Sequence, residues 1–377
     1  MDVLRGRRDG LLTMRRFITI AFLLATSQAW AAFGYYSPIS INSAQVPSTQ
    51  TDFPVLVSVT DARFKTVGNG GHVQDAQGDD IRPYTDSTLG TAITGYEKVF
   101  YDGTNGILEM WVKVSSLTSS STPFVLAYGN SSLTTDGSST TTWSNSFTDV
   151  YHLADGSTLN LNTSTATGNN NSNVNTVTAT AGKIDGAAAF ASASTQYLTN
   201  ASPTSAAVTF SAWVNATSFP GAYNGVIVRN VGPNATYVLM AVKSTGKCAF
   251  FVKATTDRSY DGTGSHTLST STWYYLALTY DSSAGLVGYV DGASDGTATA
   301  NGAAGNSGTT TTIGNDTGNA SRLWNGKIDE ARMASVARSA NWITTEYNNQ
   351  SAPGTFETLG TEVAVTTGAS GWFYFFP

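Results

Sequence analysis

The sequence predicts an all-β fold in two parts, a small N-terminal β-sandwich-like domain followed by a larger jelly roll. Short strand-like runs alternate with turn residues along most of the 377 residues, whereas helical periodicity is rare. Only 12% of the residues are charged, and glycine alone contributes 37 residues, a balance typical of β-rich extracellular proteins with many turns. The 41% hydrophobic content is enough for ordinary globular cores.

Residues 1–31 have the pattern of a secretory signal peptide. Arg15 and Arg16 precede the apolar run 17–25, and small residues surround a cleavage point next to Ala31. The apolar run is too short to span a bilayer, and Met14 is the expected translation start. We therefore expect a secreted protein that is extracellular or bound at the cell surface.

Charge and cysteine content exclude several classes of function. Removal of residues 1–31 leaves 15 basic and 24 acidic residues, a net charge of −9, so nucleic acid is not expected as a partner. Cys248 is the only cysteine, which rules out an intrachain disulfide. It lies in an apolar strand-like run, which predicts a buried and inert thiol.

The first domain is predicted at residues 33–130, and residues 131–146, which almost lack apolar side chains, are the predicted linker. In the run 107–114 alternate residues are apolar and Trp111 falls on the opposite face, the pattern of a half-buried strand. The predicted strands of this domain are 53–59, 80–84, 106–114 and 123–128.

The second domain is predicted at residues 147–350 and contains eight or more short strands followed by one helix. Gly, Ser and Asn turns between the strands favour a sandwich or jelly roll. Asp291-Gly292 is a hairpin signal because glycine tolerates positive φ, and Ser339 is the expected cap of a helix at 340–348. The predicted strands are 208–214, 225–229, 237–242, 248–252, 273–280, 286–290, 310–313 and 327–333.

Residues 351–377 form a predicted C-terminal tail that ends in Gly-Trp-Phe-Tyr-Phe-Phe-Pro. This aromatic cluster is too short to span a membrane. Because exposed apolar clusters tend to be used in contacts, we expect a final strand or self-association through this tail.

Six motifs at compatible spacing characterise the second domain between Tyr151 and Asn349. Their positions are 182–187 (G-K-I-D-G-A), 210–214 (F-S-A-W-V), 273–281 (W-Y-Y-L-A-L-T-Y-D), 289–292 (Y-V-D-G), 312–314 (T-I-G) and 325–332 (N-G-K-I-D-E-A-R). In these motifs the domain resembles the laminin-G-like members of the concanavalin A-like lectin/glucanase superfamily. The resemblance implies a concanavalin A-like jelly roll.

The first domain is similar to a small β-domain of unknown function that often precedes laminin-G-like domains in secreted bacterial proteins. This resemblance implies architecture and bacterial origin, but no activity. The motifs that carry it are 53–57, 78–82, 110–114 and 127–130.

Asp329 and Glu330 raise the question of catalysis, because some members of this superfamily are glucanases. Glycoside hydrolysis uses two carboxyl groups that face one cleft, roughly 5 to 9 Å apart. The glucanase pattern is correspondingly Glu-x-Asp-x-Glu, which no stretch of this chain supplies. Strand alternation predicts that Asp329 and Glu330 point to opposite sides of the sheet. The three histidines form no metal motif, so we expect no catalytic residues and no enzyme.

Two interpretations of this acid pair stay open. In the first, the acids bond to a loop or to Arg332 or Arg338 and tie the last strand to the closing helix. In the second, suggested by the resemblance, Asp329 is a calcium ligand, since calcium prefers carboxylate and carbonyl oxygens. The segment 163–171, where relatives commonly carry an acid, has none here.

Loop residues of the second domain supply the groups that recognise sugars. An aromatic face stacks on a pyranose, while amides and carboxylates bond its hydroxyls. For each of these aromatic side chains, the alternative to sugar binding is a structural role in covering the hydrophobic core. Trp213, which lies on a strand, has the same alternative. The candidate ligand-binding residues are Tyr223, Asn224, Asp257, Tyr260, Asp316 and Trp324.

The function that these observations favour is a secreted, non-catalytic protein that binds a glycan or another extracellular polymer and acts in adhesion. The alternative is a structural subunit that self-assembles through its tail and first domain. The third and least favoured function is polysaccharide hydrolysis. Its support would be the release of reducing ends from a panel of polysaccharides.

Overall fold

A computed structural model describes residues 33–118, 121–155, 158–201, 205–230, 236–304, 310–319 and 321–366. The predicted signal peptide and the aromatic end of the tail lie outside these residues. No helix in the described ranges is long and apolar enough to cross a bilayer.

The first domain is a sandwich of two small antiparallel sheets. One sheet has the order β2-β5-β4, and the other contains β1, β6 and β3. The four predicted strand runs are confirmed, and β1 and β4 are additional. The strands are β1 (Tyr35–Ile41), β2 (Gln50–Thr60), β3 (Arg82–Tyr84), β4 (Tyr96–Asp102), β5 (Ile107–Leu117) and β6 (Phe124–Tyr128).

The second domain contains all eight predicted strands among a larger set. The first group is β7 (Phe147–Tyr151), β8 (Ala154–Asp155), β9 (Thr158–Leu159), β10 (Ser172–Val174), β11 (Thr178–Ala181), β12 (Gly186–Phe190), β13 (Tyr197–Asn200), β14 (Val208–Ser218), β15 (Tyr223–Asn230) and β16 (Thr236–Lys243). The second group is β17 (Cys248–Lys253), β18 (Asp257–Asp261), β19 (Trp273–Asp281), β20 (Gly285–Val290), β21 (Ala293–Ala298), β22 (Thr310–Ile313) and β23 (Asn325–Ala334).

Two large sheets of the second domain form the predicted jelly roll. The seven-stranded sheet has the order β10-β13-β22-β15-β16-β17-β18. The eight-stranded sheet has the order β11-β12-β23-β14-β19-β20-β21, with β7 paired to β23. Phe210, Met240 and Phe250 lie in the core of this domain, and Cys248 is buried there as predicted. The hairpin at Asp291-Gly292 is also confirmed, since both residues have positive φ between β20 and β21.

The predicted helix is confirmed as α1 (Ala340–Ser351), and the Ser339 side chain accepts a hydrogen bond from the Trp342 amide. The helix lies over the outer face of the eight-stranded sheet. There Trp213, which is 2% exposed, donates from its indole to Gln350 of α1 at 2.7 Å. Trp213 is therefore a packing residue under the helix.

The C-terminal tail returns to the first domain. After α2 (Pro353–Phe356), the strands β24 (Glu357–Leu359) and β25 (Val363–Ala364) both pair with β1. Arg63 donates to the Gly360 carbonyl at 2.7 Å, and the Glu362 carboxylate contacts the His72 imidazole at 2.9 Å. These two short strands complete a sheet of the first domain, whereas the aromatic cluster on which the expectation of a final strand or self-association rests lies outside the described residues.

The predicted linker packs between the two domains. Trp143, within residues 131–146, is 1% exposed and lies 5.3 Å from the ring of Trp111. Trp111 is itself fully buried, so the prediction of a solvent-facing side for its strand is wrong at this position. The second domain covers that side.

Candidate functional site

The acid pair of β23 lies at a β-bulge. Ser211 of β14 is opposite Arg332 and Trp213 is opposite Asp329, so β23 has one extra residue between these pairs. Glu330 sits there with a φ of 49°. The predicted alternation therefore fails, and both acids contact groups on the outer side of the sheet, towards the first domain.

Glu330 belongs to a buried charge network between the domains. One carboxylate oxygen accepts from the Arg332 guanidinium at 2.6 Å, and the other contacts the His152 imidazole at 2.6 Å. Arg332 also donates to Glu346 of α1 at 2.7 Å. Burial opposes the charge on Glu330, but His152 and Arg332 outweigh burial and lower its pKa. The last strand is thus tied to the closing helix, as the structural interpretation predicts.

Asp329 holds a loop rather than a charged partner. Its Oδ2 atom accepts from the backbone N–H groups of Lys183 and Ile184 at 2.8 and 2.9 Å. Burial and the nearby charge of Glu330 raise the pKa of Asp329 well above its usual range. A Cβ at Gly182 would lie 2.7 Å from the same Oδ2 atom, so the loop approaches the carboxyl closely because residue 182 lacks a side chain.

Neither acid is accessible to a polymer in solution, because Asp329 is 0% and Glu330 is 1% exposed. Within the described ranges, no group of three or more His, Cys, Asp or Glu side chains is placed to hold a metal. Calcium binding through Asp329 stays a prediction.

A groove of about 410 Å³ lies on the outer face of the seven-stranded sheet. Ala249 of β17 lines it and is 3% exposed, and the cross-strand neighbour of Ala249, Ala241 of β16, is fully buried. Larger residues on both sides form the walls. The lining residues are Tyr223, Leu239, Ala249, Phe250, Phe251, Lys253, Asp257, Ser259, Tyr260, Asp261 and Arg322.

Two half-buried aromatic side chains, Tyr223 and Phe251, give the groove its apolar surface. The Tyr223 hydroxyl donates to Asp261 at 3.1 Å. The Arg322 guanidinium lies 4.7 Å from the centre of the Tyr223 ring, and the Lys243 ammonium lies 5.3 Å from it. Tyr223 is therefore held in place, and Phe251 is the second half-buried aromatic side chain of the groove.

Polar groups surround these aromatics. Asp257, Ser259 and Asp261 alternate along β18 on the groove side and are exposed. Tyr260 between them points towards the core, is 3% exposed, and donates its hydroxyl proton to Asp295. It contributes only an edge to the groove.

The structure brings together three of the six residues predicted to bind a ligand: Tyr223, Asp257 and Tyr260. The other three are buried behind the groove. Asn224 bonds the backbone of Gly221 and Val242, Asp316 pairs with Arg322, and Trp324 packs in the core.

Sequence reasoning missed Phe251 and Lys253 as groove residues. The signal was present, because alternation in β17 sets Ala249, Phe251 and Lys253 opposite the buried Cys248, Phe250 and Val252. The depth of the groove was not readable, because it depends on which strands lie side by side.

The comparison with protein families agrees with the jelly roll. The family model Laminin_G_3, described as concanavalin A-like lectin/glucanases superfamily, matches residues 190–344. The resemblance of the first domain stays a prediction. No curated protein matches the sequence.

Among solved structures, the chain is similar to domain 4 of an extracellular arabinanase from Geobacillus stearothermophilus in complex with arabinotriose, with 18% identity and a TM-score of 0.43 over 52% of this chain and 96% of that one. It is also similar to the binding domain of Paraclostridial Mosquitocidal Protein 1, with 10% identity and a TM-score of 0.44. That match covers 54% of this chain and 52% of the other chain. A sialidase from Trypanosoma rangeli matches with 12% identity and a TM-score of 0.41. That match covers 54% of this chain and 33% of the sialidase chain.

Proposed function

We propose that this protein, whose residues 190–344 form a domain of the concanavalin A-like lectin/glucanases superfamily, is a secreted, non-catalytic glycan-binding protein. The glycan occupies the groove on the outer face of the seven-stranded sheet. The observation that carries the proposal is the combination of an open concavity, a half-buried aromatic surface and exposed carboxylate and hydroxyl groups in one place.

The chemistry of the groove matches that of a sugar. A pyranose ring has an apolar side that packs on an aromatic face, and its hydroxyls need both donors and acceptors. Phe251 supplies the aromatic surface, while Asp257 and Ser259 lie on the neighbouring strand, with Ser259 directly opposite Phe251. The sheet holds these side chains on regular strands. Their backbone spacing is therefore set before the sugar binds, and no backbone entropy is lost on binding.

Burial of the acid pair supports the non-catalytic part of the proposal. A hydrolase needs an acid and a second carboxylate that both reach the scissile bond. Asp329 and Glu330 are occupied by backbone N–H groups and by the charge network, and the first domain and α1 lie over them. A polysaccharide panel that yields no reducing ends is the expected outcome of an activity assay.

The binding proposal is tested by filling the groove. Ala249→Leu enlarges a side chain that lines the groove, and Ala284→Leu is a control that makes the same change in an exposed turn. Isothermal titration with a glycan that binds the wild type should show at least about tenfold weaker binding for A249L, roughly 1.4 kcal/mol, and none of this loss for A284L. Equal affinities in both variants, with both folded, would overturn the groove as the site.

A further inference from the structure

Two cations at the groove form ion pairs with carboxylates, and a third has an acidic residue opposite it in the strand register. Arg322 donates to Asp316 at 2.8 Å, and Asp316 is fully buried behind the wall while Arg322 is 24% exposed. This cation is therefore fixed by a carboxylate that has no access to water. One terminal nitrogen of the guanidinium is thereby committed to Asp316, and the group also lies over the Tyr223 ring at 4.7 Å.

The second pair lies at the edge of the groove. Lys243 donates to Asp261 at 2.9 Å, and the same carboxylate accepts from the Tyr223 hydroxyl at 3.1 Å. The positive charge of Lys243 is thus compensated within the wall that also carries the aromatic ring.

The remaining two charged groups face each other across neighbouring strands. Lys253 of β17 is directly opposite Asp257 of β18 in the antiparallel register, and both are exposed. Side chains directly opposite in such a pair are close enough to interact. Lys253 therefore has an acidic residue as its cross-strand neighbour.

We infer that the groove selects uncharged glycans over uronate-bearing or sulfated ones, an inference that rests on the proposed function. A bound carboxylate or sulfate would compete with Asp316 for Arg322 and would weaken the compensation of the buried Asp316 charge. It would also meet the exposed carboxylates of Asp257 and Asp261. A neutral sugar neither competes for Arg322 nor brings a negative charge close to these carboxylates. Its hydroxyls donate to the carboxylates and accept from Lys253.

The test is titration of the full chain with two sets of glycans. The neutral set contains xylohexaose, cellohexaose, linear arabinan and mannan, and the acidic set contains polygalacturonate, alginate and heparin. We expect binding from the neutral set, with a Kd that changes less than about twofold between roughly 20 and 500 mM NaCl, because no net charge is neutralised on binding. Acidic glycans should bind at least about tenfold more weakly at about 20 mM NaCl, and the difference should narrow at about 500 mM because salt screens the exposed carboxylates.

Two variants make the charge argument specific. Asp257→Asn removes one negative charge from the groove and should raise the affinity for acidic glycans a few-fold, about the effect of one surface charge at low salt. Asp136→Asn makes the same change in net charge in the predicted linker, outside the groove, and should leave the affinity for both sets unchanged. An unchanged acidic-to-neutral ratio in D257N contradicts the inference.

The outcomes separate the inference from the proposed function. Preferential, salt-sensitive binding of acidic glycans that A249L abolishes overturns the selectivity and keeps the groove as the site. Absence of binding by either set, or binding that A249L leaves intact, overturns the proposed function and the inference with it.

Discussion

Asn349 of α1 bonds both backbone groups of Leu56 in β2: its Oδ1 accepts from the Leu56 N–H at 2.7 Å, and its Nδ2 donates to the Leu56 carbonyl at 3.0 Å. The side-chain amide thereby takes the place of a neighbouring strand at this point of the first domain. Since α1 also covers Trp213 of the jelly roll, one helix packs against both domains. The interface between the domains is therefore built like a core.

Replacement of Asn349 tests this interface. Asn349→Ala leaves the N–H and the carbonyl of Leu56 buried without partners, so we expect a loss of about 2–4 kcal/mol in the free energy of unfolding. Urea denaturation measures it. Asn348→Ala is the control, because its amide makes one bond, to the Gln45 carbonyl, at a partly buried position, and should cost about 1 kcal/mol or less. Equal losses in the two variants would contradict the role of Asn349.

Arg332 should be the most sensitive residue of the charge network. Arg332→Met removes the partner of Glu330 and Glu346 while keeping an apolar side chain against Trp111, whose ring lies 4.2 Å from the guanidinium carbon. The buried Glu346 then loses its cation and the buried Glu330 keeps only His152, so we expect a cost of about 3–5 kcal/mol. The double variant R332M/E330Q should recover part of this loss, because it removes one of the two carboxylate charges that lost Arg332. A double variant less stable than R332M would argue against the network.

Asp329 should behave as a neutral hydrogen-bond acceptor. Asp329→Asn keeps the oxygen that accepts from Lys183 and Ile184. Because burial and the charge of Glu330 raise the pKa of Asp329 and favour its neutral form, this substitution should cost less than about 1 kcal/mol in the free energy of unfolding. Asp329→Ala loses the acceptor for two N–H groups and should cost about 2–4 kcal/mol. Thermal or urea unfolding distinguishes the two variants. A large loss in D329N would show that the carboxylate charge itself is needed.

His152 makes stability depend on pH. Burial opposes its protonation, but the carboxylates of Glu330 and Glu97 outweigh burial and raise its pKa well above the ordinary 6.5. The folded pKa is higher than the unfolded one, so this contribution is fully present below about pH 6.5 and is lost as the pH rises through the folded pKa. Melting temperatures between neutral and alkaline pH should fall for the wild type and fall less steeply for His152→Gln. Parallel curves would contradict this.

The sequence was sufficient to predict twelve of the strands, four in the first domain and eight in the second, because the alternation of apolar residues and the turn residues act over a few neighbours. It also predicted α1, through Ser339 and the spacing of its apolar side chains. It could not show that Trp111 is covered on its second face, since the covering residues belong to the other domain. The return of residues 357–364 to β1 is a pairing between the two ends of the chain, which no local pattern encodes.

The site was predictable only in part for the same reason. Tyr223 and Asp257 were found as residue types suited to sugars, but Asn224 and Trp324 have the same chemistry and are buried. The error at Glu330 has a local cause, because a positive φ at a glutamate creates a bulge that strict alternation does not anticipate.

The most direct test of the glycan site is a crystal structure of the protein soaked with a neutral oligosaccharide that binds in solution. The sugar should lie above Ala249, with one ring against Phe251 and hydroxyls bonded to Asp257 or Ser259. An oligosaccharide bound at full occupancy elsewhere on the protein, with the groove free, would contradict the proposal.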